Sequence, residues 1–248
     1  MEYGLRLATL DSAHKGPEDF CHAEVWALCP DGPVTALYFG SEFCQELLPQ
    51  LGDAEAFCAY CADHELEAVL LTPLVTQRGL RRLSRLLGGL ARRGWSPAVV
   101  FNDWGVFELL RQSHPVLPRR MGRLMNRGLR DPRLEMKPGA TGGENTGRGA
   151  GLRTFASALG VTAVESDADL EPGYLGSGDN GLERTLHLPY TFASSGRNCL
   201  EKALGTAAGK GMFTQGLATG CKAPCRGVCR PENRQDTQKT MWRSGNTL

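Results

Sequence analysis

Three short apolar runs, Val34–Phe39, Ala68–Thr72 and Ala98–Phe101, follow one another at intervals of about 30 residues, with helical spacing between them. Parallel strands can be joined only through a crossover of a dozen or more residues, and this pitch supplies one each time. Asp53–His64 fills the first gap. Gly79–Arg93 fills the second, with Leu80, Leu83, Leu86, Leu87 and Leu90 on one face and Gly94 as the stop. Phe101 leads into Asn102-Asp103-Trp104-Gly105 and a short helix over Val106–Arg111, and further strands are expected at Val161–Glu165 and Leu186–Thr191. The pattern predicts an α/β fold with a parallel sheet, barrel-like and short of eight complete units if need be, with an open doubly wound sheet as the alternative. No strand-linked G-x-G-x-x-G is present, which removes the usual support for a dinucleotide site.

The 248 residues are read as one domain, 41% hydrophobic and so able to build a core. Two Gly-rich polar stretches, Lys137–Arg153 and Gly173–Gly181, read as loops, the first of them mobile. No run reaches the roughly 18 apolar residues of a membrane span, and the first residues lack the apolar stretch of a signal peptide. A cytoplasmic location is the resulting expectation. The net charge of +1 gives no whole-molecule attraction to nucleic acid or membrane. Acids dominate up to Leu70, whereas Arg78–Arg133 holds thirteen arginines against Asp103, Glu108 and Asp131. Those are solvated basic helix faces or an anion-facing surface.

Nine cysteines, an odd number unevenly spaced, do not make a disulfide framework. In a reducing compartment, clustered thiols read as metal ligands. Cys221, Cys225 and Cys229 are each four apart, with Cys199 upstream in a Gly-rich setting. Tetrahedral zinc favours C-x2-C, because that tight turn aims both sulfurs inward. The wider C-x3-C spacing with a distant fourth thiol suits an iron–sulfur cage better. Pro224 can open a helical turn but not sit inside one. Such a turn would set Cys225 and Cys229 on one face and leave Cys221 on the approach. Cys58 and Cys61 form a C-x-x-C in mid-helix, away from the helix N-terminus that would activate a thiol, and read as core. Cys21 and Cys29 have no recognisable context. Asn102 and Asp103 suit a helix cap, and His187 and Glu165 read as strand residues with a partner or a site role. Arg197 could donate to a cluster sulfur or to an anion.

Several segments together resemble the collagenase-like peptidase family U-32: Val34–Cys44, Leu71–Pro73, Val99–Gly105 with its Asn-Asp-Trp-Gly, Gly122–Asn126, Arg130–Arg133, His187–Thr191 and Gly196–Cys199. Within that family the chain is most similar to iron–sulfur accessory proteins of oxygen-independent ubiquinone biosynthesis. The resemblance implies a barrel carrying a [4Fe-4S] cluster on Cys44, on Cys199 and on a C-x3-C pair, either Cys225 with Cys229 or Cys221 with Cys225. It also implies a related family subunit as partner, for which the acidic and basic segments offer complementary surfaces. The implied role is assistance to an oxygen-independent hydroxylation or related modification. The family's peptidase signature is absent in its usual form. A collagenase-like peptidase and a zinc-stapled interaction protein are the alternative readings, and the substrate is not specified by any residue pattern.

Overall fold

The structure is a computed structural model that describes residues 2–7, 32–125, 154–167 and 182–188, the single residues Phe192, Cys199, Cys221 and Cys225, and the backbone of 229–232 and 241–244. The Gly-rich stretches, Cys21, Cys29, Arg197 and most of the cysteine-rich segment lie outside the described residues.

Seven parallel strands lie side by side in chain order: β1 (Tyr3–Arg6), β2 (Val34–Gly40), β3 (Glu67–Leu71), β4 (Ala98–Phe101), β5 (Arg119–Met121), β6 (Ala163–Asp167) and β7 (Glu183–His187). A doubly wound sheet reverses its order at a switch point. This one never does, so the doubly wound alternative is excluded. The sheet curls into a half-barrel, and β1 does not pair with β7 among the described residues. The expected barrel-like α/β architecture is therefore present in this open form. Three helices cross between strands: α1 (Leu51–Asp63), α2 (Gln77–Arg92) and α3 (Trp104–Ser113). A further helical stretch at 154–158 precedes β6. Backbone at β8 (Cys229–Glu232) and β9 (Met241–Ser244) forms a separate antiparallel pair. No helix among the described residues is long and apolar enough to cross a membrane.

Strand side chains alternate between faces, and the two parities have different fates. Leu37, Phe39, Leu70, Val99, Phe101, Met121 and Val164 face the helices and pack with Phe57, Leu83, Leu87, Leu90, Val106 and Leu110 in one core. Each such aliphatic side chain stabilises the fold by roughly 1.5–3 kcal/mol through burial. The leucine stripe of α2 explains that helix: spaced three and four apart, it lays Leu83, Leu86, Leu87 and Leu90 on the sheet. Thr76 starts it by accepting from the Gly79 N–H at 3.3 Å. The other parity faces the concave side. There Ala36, Tyr38, Val69, Leu71, Ala98 and Val100 form a second, smaller apolar layer with no helix residue in it. Toward β5, β6 and β7 the same face turns polar, with Arg120, Glu165, Asp167 and His187.

Candidate functional site

In a parallel barrel, side chains at the C-terminal ends of different strands converge. Six charged or ionisable groups meet there. Arg123, just beyond β5, places Nε 3.0 Å from Oε1 of Glu42 and Nη2 2.8 Å from Oε2, a two-toothed pair. Its Nη1 donates to Oδ1 of Asp167 at 2.6 Å. Arg6, ending β1, donates to Oε2 of Glu42 at 3.0 Å. His187, ending β7, lies 2.6 Å from Oε2 of Glu165 through Nε2. Glu42, Glu165 and Asp167 are all buried. Burial works against the Glu42 carboxylate, but His187, Arg123 and Arg6 outweigh it and hold the group below the usual carboxylate range. Burial likewise works against Arg123, and Glu42 with Asp167 overcomes it, so the guanidinium stays charged. Deeper on the same face, Arg120 donates to the Tyr38 hydroxyl at 2.9 Å and to Glu67 at 2.5 Å. The Tyr38 hydroxyl is pushed up to about 12, by burial first and then by the charge of Glu165.

Glu42, Glu165 and His187 bring one ligand atom each within 4.8 Å of one another, a spacing that a divalent cation could use. Both oxygens of Glu42 already accept from guanidinium groups, however. A cation there would have to displace Arg123 and approach two positive charges. The group is better described as a closed ion-pair network whose positive charge comes from the protein.

The thiols adjoin this network through the exit of β2. Gly40 has φ +95, and a Cβ there would sit 2.6 Å from the Leu71 carbonyl oxygen, so the turn requires glycine. The chain then places Glu42 in the ion-pair network and Cys44 two residues later. The Ser41 hydroxyl accepts from the Cys44 N–H at 3.2 Å, and a 3-10 turn over Gln45–Leu47 follows. Gln45 Oε1 accepts from the Thr76 N–H at 2.9 Å, and Arg82 donates to the carbonyls of Gln45 and Leu48, which fixes the loop to α2. Cys44 and Cys199 pack together, both buried, with Cys221 and Leu47 against them. Burial pushes the Cys44 thiol up, the backbone of Glu46 and Leu47 works against it, and Cys199 and Cys221 push it further. Burial also pushes the Cys225 thiol up, followed by Cys199, Cys44 and Cys221. Four thiols from three distant parts of the chain thus share one neighbourhood. No three of their sulfurs come within 4.8 Å of one another among the described residues.

Of the five cysteines singled out from the sequence, Cys44, Cys199, Cys221 and Cys225 are brought together, and Cys229 opens strand β8 with its side chain outside the described residues. The preference for Cys229 over Cys221 assumed a helical turn running from Pro224. Cys225 does sit in a turn, but the backbone at Cys229 is extended. Cys58 and Cys61 are core residues of α1, pushed up to about 11 and about 12 by burial. Asp103 caps α3, accepting from the Gly105 N–H at 2.7 Å. Asn102 does not cap. Buried, it donates to the Thr72 carbonyl at 2.9 Å and accepts from the Leu124 N–H at 3.0 Å, tying together the exits of β3 and β5. Arg6, Glu42, Arg123 and Asp167 had no sequence signal as a group, since their partners lie 36 to 81 residues apart.

No family model matches the chain, and neither a curated protein nor a solved structure matches it.

Proposed function

We propose that this chain is an iron–sulfur protein of the peptidase U-32 type that serves an oxygen-independent hydroxylation or related modification, together with a related subunit. The cluster, a [4Fe-4S] type, is assigned to Cys44, Cys199, Cys221 and Cys225, with Cys229 as the substitute for Cys221. The observation that carries this reading is the meeting of four thiols from separate segments at the C-terminal edge of the half-barrel. Their chemistry fits: soft thiolates select zinc or iron–sulfur clusters. The C-x3-C spacing of Cys221 and Cys225, with distant Cys44 and Cys199, suits an iron–sulfur cage better than the C-x2-C turn that zinc favours. When bound, the cluster would supply one-electron transfer beside the concave face. There Tyr38, Arg120 and the Glu165–His187 pair offer hydrogen bonds and a proton carrier to a small substrate.

The test is the visible absorption spectrum of anaerobically purified protein, with iron and sulfide assayed on the same sample. A broad blue-end band with about four irons per chain is expected for a four-thiolate cubane. Alanine at Cys44, Cys199, Cys221 or Cys225 should abolish it, and alanine at Cys58 should not. Loss on Cys229→Ala with retention on Cys221→Ala would exchange those two ligands. Colourless protein after anaerobic reconstitution, with one zinc per chain, would refute the cluster.

A further inference from the structure

We infer that Arg123 is a positioning residue that holds the Cys44 and Cys199 thiols together, an inference that rests on the reading of those cysteines as one site. Its guanidinium is buried, and three of its donors are committed: Nε and Nη2 to Glu42 at 3.0 and 2.8 Å, and Nη1 to Asp167 at 2.6 Å. Glu42 stands two residues before Cys44, so the two-toothed pair fixes the backbone that delivers that thiol. The carbon of the same guanidinium lies over two aromatic rings, 5.4 Å from the centroid of Phe43 and 5.5 Å from that of Phe192. Those rings contact each other, with centroids 5.6 Å apart. Phe43 is the residue before Cys44, and Phe192 lies seven before Cys199. One side chain therefore contacts the residue beside Cys44 and, at Phe192, a residue seven before Cys199.

Geometry, not charge alone, is what this role demands. A lysine would keep one positive charge beside Glu42, but it has no planar fork to pair two-toothed with Glu42 while also reaching Asp167. Arg6 cannot take over. It shares Glu42 and approaches Phe43 at 5.9 Å, but its side chain is 43% exposed where that of Arg123 is 6%.

The experiment uses the full chain, metal-free and reduced, treated with dibromobimane. This reagent becomes fluorescent when two thiolates each displace one of its bromides across a gap of a few Å. Peptide mass spectrometry then identifies the bridged pair. Wild type should bridge Cys44 to Cys199. Arg123→Gln should lower that yield at least about tenfold, as displacement of a reacting group by about 1 Å commonly does, while single alkylation of Cys44 continues. Arg123→Lys should stay near the glutamine variant. A near-UV circular dichroism spectrum matching that of wild type reports that the core is intact. If Arg123→Gln does not fold, the lysine variant carries the test, since it retains the charge opposite Glu42. Wild-type bridging in either variant, or no Cys44–Cys199 bridge in wild type, overturns the inference. Because no metal is present, absence of iron from the purified protein would sink the cluster without touching this result.

Discussion

Gly122→Ala isolates the contact that joins the exits of β3, β4 and β5. A Cβ at this position would lie 2.1 Å from Oδ1 of Asn102, 2.5 Å from its Cγ and 2.6 Å from its Nδ2. All three atoms belong to one short, fully buried side chain, so the amide must move as a unit. It then gives up the bond to the Thr72 carbonyl and the one from the Leu124 N–H. Each broken bond leaves a buried donor or acceptor unpaired, at about 1–3 kcal/mol. With two such bonds the expected destabilisation is about 2–6 kcal/mol, read as a shift of the urea midpoint at constant m. The control is Gly88→Ala in α2, where a Cβ meets nothing nearer than Arg92 at 3.5 Å. There the change should stabilise by roughly 0.5–1 kcal/mol through helix propensity. A double-mutant cycle completes the case. In an Asn102→Ala background the clash is gone, so Gly122→Ala should cost less than about 1 kcal/mol. An undiminished cost in that background would refute the reasoning.

Acid stability follows from Glu42. Its folded carboxyl lies below the ordinary range, so its contribution is present at neutral pH and is lost as pH falls from about 4.3 through the lower native value. Glu42→Gln should lower stability at pH 7 by about 3–5 kcal/mol, since it strands a buried guanidinium, and should flatten the acid limb of a stability–pH curve. The alkaline limb has the opposite sign. Cys58 and Cys61 are raised in the fold to about 11 and about 12, so stability is retained below the ordinary thiol value and falls as pH climbs toward those figures. Serine at both positions should remove that slope, about 1.4 kcal/mol per pH unit per thiol, in thermal melts taken from pH 8 to 11. Asp103→Ala removes both the α3 cap and the bond from the Val75 N–H at 3.2 Å. A loss of about 1–2 kcal/mol is expected in urea unfolding.

Strands β2, β3 and β4 are legible in the sequence because parallel strands buried on both faces read as continuous apolar runs. Strands β1 and β5 are not. Tyr3–Arg6 and Arg119–Met121 turn Arg6 and Arg120 toward the concave face, where ion pairs replace apolar contacts and break the hydrophobic signal. The strand expected over Leu186–Thr191 shares Leu186 and His187 with β7, whose ladder with β6 runs over Glu183–His187, and residues 189–191 lie outside the described residues. Its start is illegible because Glu183 to Thr185 carry no apolar signal and Leu186 itself is 45% exposed. Asp103 was readable as a cap, because capping is local chemistry. The Glu42–Arg123–Asp167 network was not, because nothing local to any of the three identifies the other two. Spacing alone picked the late cysteines. Cys44 entered only through the family resemblance, since a lone cysteine after a strand has no signature of its own.

The sequential order of the sheet also sets the order in which its parts can assemble. Register partners in β2, β3 and β4 are about 30 residues apart, as in Ala36 with Glu67 and Val69 with Ala98. Each strand–helix unit can therefore close onto its predecessor at a similar loop-entropy cost, and the apolar face can grow one unit at a time. Glu42 and Arg123 are 81 residues apart, and Arg123 and Asp167 are 44 apart. Their network and the thiol neighbourhood beside it thus close longer loops than the pairings within β2, β3 and β4, and cost more chain entropy to form.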